Sequence, residues 1–174
     1  MLLSQAVNLI QHPTSQQKSI WADLGCGTGL FTNALSQIIA EQSIIYAVDK
    51  NKLSLNKVSV KSGIELKKTA LNFISDELPF NNLSGIMMAN SFHFVKDKIT
   101  FINKASGCLD ANGYFIMIEY DTDISNFWVP YPISFNQLQK FFTQYNCIAE
   151  KLQEIPSRYN GIIYSALIKK ISKA

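Results

Sequence analysis

Arginine is nearly missing from this chain: Arg158 is the single one among sixteen basic residues. The planar guanidinium is the usual tool for reading bases and clamping phosphates, and the lysines are scattered, so specific nucleic-acid recognition is not expected. A formal charge of +3 allows only weak, salt-sensitive contact with anions. Cysteine is scarce and unpatterned. Cys26, Cys108 and Cys147 lie far apart without CxxC spacing, which argues against a disulfide framework or a metal site and for a reducing, cytoplasmic setting. No apolar run approaches the roughly 20 residues of a membrane span. Residues 1–11 lack the basic flank of a signal peptide and are interrupted by Gln5, Asn8 and Gln11, so they read as an amphipathic helix. Charged residues are only 17% against 47% hydrophobic, which excludes disorder, and 174 residues suit one domain with one substantial core.

Hydrophobic periodicity supplies the order of elements. Residues 1–18 give a helix and a loop, and 19–24 a short buried strand ending in a glycine cluster. Leu30, Phe31, Ala34, Leu35, Ile38 and Ile39 then share a helical face. Residues 44–48 form an apolar strand closed by Asp49. Residues 51–60 are ambiguous in pattern and are assigned to a helix, because neighbouring parallel strands need a crossover. Strands follow at 64–71 and 85–89, then a helix carrying Ile99, Ile102, Ala105 and Leu109, a turn at 110–113, and a strand at 114–120. Phe135, Leu138, Phe141, Phe142 and Tyr145 make a helical stripe, and 147–155 with 161–171 make an antiparallel hairpin. The sequence therefore predicts a helix, five rounds of strand and helix, and two closing strands. That is an α/β fold: a doubly wound, mostly parallel seven-stranded sheet with helices on both faces, residues 1–174 as a single domain. Such sheets bind ligands beyond the carboxyl ends of their strands, at the switch in strand order.

The strongest local signal is Asp23-Leu24-Gly25-Cys26-Gly27-Thr28-Gly29 between a strand and a helix. Alternating glycines let main chain approach a ligand closely, and the helix start offers unpaired N–H groups. The dinucleotide pattern GxGxxG is not met, because Leu30 holds its sixth position, so a nicotinamide-dependent oxidoreductase is disfavoured. Asp49, at the end of the second strand, is placed to accept from both hydroxyls of a ribose or to cap the following helix.

On these motifs the chain resembles the class I S-adenosylmethionine-dependent methyltransferases, from Ile20 to Lys170. The resemblance implies a Rossmann-like methyltransferase fold and S-adenosylmethionine as cofactor. It implies that Gly25, Cys26, Gly27, Thr28 and Gly29 wrap the methionine portion, with Asp23 reaching its ammonium. It sets Asp49 on the ribose, and Lys50 and Leu53 beside the adenosine. Asn72 and Phe73 fall where the family often has an aspartate and a small or aromatic residue against adenine; an amide oxygen can also accept from the adenine amine. Asn90 and Ser91 follow the fourth strand, facing the reacting sulfonium.

The acceptor side is less marked. His93 is a candidate general base, or packs on the cofactor, or caps the next helix; His12 has less support. Tyr120 and Asp121 are candidates for orienting a substrate. Residues 121–134, with Phe127, Trp128, Pro130, Tyr131 and Pro132, form a substrate loop or a hydrophobic cover, with Trp128 and Tyr131 as substrate contacts. Arg158 and Tyr159 in the last turn are candidate anion contacts. The expected reaction is methyl transfer to a small molecule; the alternative is a cofactor-binding, catalytically weak subunit acting with a partner protein. Methyl transfer from a sulfonium needs alignment and exclusion of water more than acid–base machinery, so no catalytic triad or metal is required.

Overall fold

The computed structural model describes residues 1–12, 14, 16–157 and 161–171. Within them the helices are α1 (Leu3–Ile10), α2 (Leu30–Ile38), α3 (Lys52–Lys57), α4 (Lys98–Ser106) and α5 (Phe135–Thr143), with a 3-10 turn at Phe92–Phe94. The strands are β1 (Ile20–Leu24), β2 (Ile44–Asp49), β3 (Glu65–Ala70), β4 (Leu83–Ala89), β5 (Leu109–Tyr120), β6 (Cys147–Pro156) and β7 (Ile162–Lys170). They form one sheet in the order β3-β2-β1-β4-β5-β7-β6, parallel from β3 to β5, with β7 antiparallel to both β5 and β6. This is the doubly wound sheet and closing hairpin that the sequence predicts. The chain starts in the middle with β1, builds outward to β3, then returns to β4 on the other side. Connections after β1 and β4 therefore leave in opposite directions and open a crevice between them.

Strand alternation assigns each face its cover. Ala22 and Leu24 look toward the layer that holds Phe101, Ile102, Leu138 and Phe142 of α4 and α5. Trp21 looks the other way, with Ile45, Met87 and Ile116, toward Ala6, Leu9, Ala34 and Leu35 of α1 and α2. Asp23 is in phase with Trp21, so its carboxylate enters the layer between the sheet and α2. Among the described residues no helix is long and apolar enough to cross a membrane.

Three expectations need correction. The third round has no helix: residues 71–82 cross from β3 to β4 as irregular chain. Asn72, Ser75, Asp76, Pro79, Asn81 and Asn82 favour turns, while Phe73, Leu78 and Phe80 bury themselves in the core without helical spacing. The ambiguous segment 51–60 is helical only to Lys57, because Val58 turns back onto Gly29 and Val60 packs on the α1–α2 side. Leu109 belongs to β5 rather than to α4, which stops at Gly107. The expected turn at 110–113 survives as an irregularity inside β5, where the partner of Leu83 is Leu109 and the partner of Gly85 is Tyr114.

Gly85 lies opposite Trp21, and a methyl group there would run into the indole. That ring is fixed by a 3.0 Å bond from its Nε1 to Ser19 Oγ and by an edge contact with Tyr114. Gly85→Ala should therefore lower the unfolding free energy by about 1–3 kcal/mol, as overpacking does. The check is the urea midpoint at unchanged m-value; a midpoint equal to wild type would mean that the indole yields freely.

Candidate functional site

The main chain beyond β1 is pinned before it opens. Gly25 N and Cys26 N both donate to Val48 O, at 2.8 and 3.0 Å, so the glycine loop begins level with the end of β2. Gly25 and Gly27 have φ of +83° and +54°, the left-handed region that glycine enters without steric cost. They differ in what surrounds them. A side chain on Gly25 would strike Ser91 and Phe73, whereas one on Gly27 would meet nothing within 4 Å. Gly25 is a packing glycine that lets the β1 and β4 loops touch, and Gly27 presents bare backbone to open space. Gly29 is the N-cap of α2, with no side chain closing that helix end.

Two carboxylates flank the loop. Asp49 accepts from Gly27 N at 2.9 Å through Oδ2 and from Asn51 N at 2.8 Å through Oδ1. It does not cap α3; Asn51 does, accepting from Leu53 N and Ser54 N. The half-buried Asp49 is thereby held at the rim, and each oxygen keeps a further lone pair for a ligand hydroxyl. Asp23 is fully buried. Its Oδ2 accepts from Thr32 Oγ1 at 2.6 Å, while Oδ1 has no partner. Burial, with the negative charge of Asp49 nearby, pushes its carboxyl up to about 7 against the opposing bond from Thr32.

Across the crevice, Asn90 continues the sheet by donating its N–H to Ile118 O at 2.8 Å, then turns left-handed at φ +51°. Its side-chain Oδ1 is likewise buried without a partner. Ser91 Oγ donates to Leu24 O at 2.6 Å, stitching the β4 loop to the end of β1. Behind it, buried Glu119 accepts from Phe92 N, His93 N and the His93 ring, the last at 2.6 Å. The His93 ring is thus fixed inside the protein, where only 3% of the residue is exposed.

A crevice of about 170 Å³ runs between these walls. Gly25, Asp49, Lys50, Asn72, Phe73, Asn90 and Ser91, all singled out by sequence, line it together. Cys26, Gly27, Thr28 and Gly29 form the loop at its edge, and Leu53 stands 75% exposed on α3. Asn72 Oδ1 accepts from Ile74 N at 3.2 Å, and Lys104 Nζ donates to the carbonyls of Phe73, Ile74 and Asp76, which fixes this wall. Leu71, Ile74 and Phe94 also line the crevice. The sequence reading passed over them, although each adjoins or nearly adjoins a residue it chose.

The residues expected on the acceptor side do not gather in one place. Tyr120 lines a neighbouring cavity, with its ring centroid 6.1 Å from that of His93. The Asp121 carboxylate turns to α5, accepting from Phe135 N at 2.8 Å, with Lys151 at 3.9 Å. Trp128 is 76% exposed, and neither it nor Tyr131 borders either cavity. The 121–134 segment is strapped down by Tyr131 N to His93 O, by Lys98 Nζ to Tyr131 O, and by Ser134 N and Oγ to the Asp123 carboxylate. Lys98 is half-buried over the Phe92 ring, and burial lowers its ammonium to about 8. His12 is engaged elsewhere, between Ile10 O and the Tyr114 hydroxyl. Arg158 and Tyr159 lie outside the described residues.

The family pattern described as "Methyltransferase domain" matches residues 22–117, which runs from β1 through the crevice to β5. This chain belongs to that family. It is a methyltransferase. No curated protein matches the sequence. Solved structures share the fold at low identity. A Leishmania major S-adenosylmethionine-dependent methyltransferase is 18% identical with a TM-score of 0.71, covering 95% of this chain and 70% of its own. One from Aquifex aeolicus is 17% identical with a TM-score of 0.60, covering 88% and 84%. The 1,6-didemethyltoxoflavin-N1-methyltransferase of Burkholderia thailandensis is 14% identical with a TM-score of 0.68, covering 90% and 72%.

The methyltransferase's buried Asp23 makes its stability depend on pH. The folded carboxyl titrates near 7 and the unfolded one near 3.8. Between these values the folded state holds the extra proton, so raising the pH through this window removes stability, which levels off above about 7. In the cofactor-free protein, Asp23→Asn should flatten this decline in thermal melts between pH 5 and 8. Parallel profiles for the two proteins would show that Asp23 is ionised throughout.

Proposed function

We propose that the crevice between the β1 and β4 loops holds S-adenosylmethionine and that the protein delivers its methyl group to a small molecule. The observation that carries this reading is the pair of buried, unpartnered oxygens, Asp23 Oδ1 and Asn90 Oδ1, at the ends of neighbouring strands. An unsatisfied buried acceptor costs about 1–3 kcal/mol. A ligand ammonium placed against the glycine loop answers both, and an amino acid portion has one.

The remaining residues fit the rest of the cofactor. Gly27 leaves open space before bare backbone, where the methionine portion packs. Asp49, held by two main-chain N–H groups, accepts from the ribose hydroxyls. Asn72 and Phe73 supply the adenine wall, with Lys50 and Leu53 over the nucleoside and Cys26 and Thr28 completing the loop. The cofactor brings a methyl group on a sulfonium, already activated toward a nucleophile. The protein's task is to orient the two reactants and exclude water. Ser91 and Asn90 fix the floor at the strand end, and Glu119 fixes the backbone of the next turn. With its ring bound to Glu119, His93 is a positioning residue. The small-molecule reading draws support from the Burkholderia structure, which holds both 1,6-didemethyltoxoflavin and S-adenosylhomocysteine.

Calorimetry with S-adenosylhomocysteine tests the cofactor assignment. Asp49→Ala should weaken binding by about 2 kcal/mol, roughly 30-fold, and Asp49→Asn by less, since one acceptor oxygen remains. An affinity indifferent to both substitutions removes Asp49 from the site, and a thermal shift with NAD but none with S-adenosylhomocysteine overturns the reading. Because the ammonium favours ionised Asp23, binding at pH 6 should release a proton, seen as a dependence of the heat on buffer ionisation that Asp23→Asn abolishes. No such dependence in the wild type would separate Asp23 from the ligand amine.

A further inference from the structure

The lysines look scattered along the sequence, yet six of the sixteen basic residues fall within residues 50–68, against Glu65 alone of the thirteen acidic ones. The net positive charge of the chain comes from this stretch, since acidic residues outnumber basic ones in the remainder. It builds α3 and β3, at one edge of the sheet. We propose that this edge docks a partner protein by pairing β3 with an extended, acidic segment of that partner.

The open main chain is the first ground. β3 pairs with β2 and with no other strand. Glu65 N donates to Ser43 O at 2.9 Å and Leu71 N to Asp49 O at 3.2 Å, so the odd-numbered residues bond inward. Alternation along an extended strand then turns the N–H and C=O groups of Leu66, Lys68 and Ala70 away from the sheet. Lys68 and Ala70 are exposed. Another main chain in extended form supplies donors and acceptors at the spacing of this row, which is how added strands are recognised.

Charge is the second ground, and lysines flank the row on both faces of the sheet. On the α3 side, Lys68 Nζ donates to Asn56 O at 3.1 Å, next to Lys57, while Lys50 and Lys52 stand exposed where that helix begins. On the other side, Lys67 lies over the Tyr46 ring, 5.4 Å from its centroid. The acidic side chains nearby are Glu65, paired with Lys67 at 3.3 Å, Glu41 beside Gly63, and Asp49, bound by two main-chain N–H groups at the crevice.

The two grounds together select the occupant. Lysines on an edge strand deter pairing with a second copy of that strand, which brings its own cations. An acidic strand meets no such repulsion. Nucleic acid or lipid headgroups would meet the ammonium groups but leave the outward main-chain groups unpaired, and the stretch has no arginine to fork a phosphate. A strand docked here lies beside Leu71, Asn72 and Phe73, which follow β3 into the crevice wall.

Fluorescence anisotropy on the whole protein tests the docking. The probe is a labelled peptide of alternating glutamate and valine. It is set against a peptide with lysine for glutamate, the acidic peptide N-methylated at every amide, oligouridylate, and phosphatidylglycerol vesicles. The acidic peptide should bind at least about tenfold more tightly than the lysine peptide. It should also exceed its N-methylated form by about tenfold or more, because methylation removes the main-chain bonds. The double substitution Lys67→Glu and Lys68→Glu should reverse the preference between the acidic and lysine peptides. Amide hydrogen exchange on the wild type gives a reading free of any folding defect. With the acidic peptide bound, Leu66, Lys68 and Ala70 should gain protection, while Lys67 and Thr69, already bonded to β2, stay as they were. Equal binding of the N-methylated peptide, a preference unmoved by the double substitution, or unchanged protection at the three outward amides would each overturn the proposal. Tighter binding of the RNA or the vesicles than of the acidic peptide, or no binding of that peptide, would do the same.

Discussion

The site depends on one seam, where β1 and β2 end at the same height. Val48 O accepts two successive N–H groups from Gly25 and Cys26, and one residue later Asp49 accepts from Gly27 N. Three donors of an otherwise strained loop are thus satisfied by the adjacent strand and its terminal carboxylate. Buried main-chain N–H groups demand partners, so the seam fixes how the loop leaves the sheet. It also fixes Asp49, whose carboxylate must face Gly27 and therefore the crevice. A single arrangement gives the loop its shape and the carboxylate its aim.

The opposite wall is held by the same kind of bond from a different source. Ser91 Oγ reaches back to Leu24 O, and Glu119 gathers the N–H groups of Phe92 and His93. These side chains replace a helix cap after β4, since the 3-10 turn has no side-chain cap of its own. Among the described residues, Asp23 Oδ1 and Asn90 Oδ1 are the buried side-chain oxygens left without a partner, one at the end of β1 and one just after β4.

Most of the crevice lining was legible in the sequence because its logic is local. Glycines at alternate positions after a short strand, and a carboxylate closing the next strand, state their geometry within a few residues. The central strands were legible for the same reason, since burial on both faces leaves apolar runs that periodicity detects, whereas the edge strands β3 and β6 are largely exposed and carry a weaker pattern. Residues 71–82 were not, because the repeating order of strand and helix implied a helix there, whereas their turn-forming residues cross to β4 as irregular chain. The cavity beside Tyr120 was the least legible part. Met1, Tyr120, and Ile155 with Ile163 come from three distant stretches, and their meeting depends on sheet order. The aromatic residues of 121–134 gave a stronger sequence signal than these, yet Trp128 and Tyr131 border neither cavity.

The course of that segment has a physical basis in how the hairpin closes the sheet. Inserting β7 antiparallel between β5 and β6 brings Ile163 opposite Tyr120, so the end of β6 and the start of β7 lie at the same edge as the glycine loop. Ser165 Oγ donates to Leu9 O, tying α1 to β7 and carrying Met1 and Gln5 toward that edge. Meanwhile Asp121, the next residue after Tyr120, accepts from the first N–H of α5 and starts the 121–134 segment away from the opening. The change of direction between Tyr120 and Asp121 therefore decides which half of the C-terminal region shapes the cavity beside Tyr120. Aromatic content alone could not reveal it, because one residue's step along a strand end reverses the face on which everything after it lies.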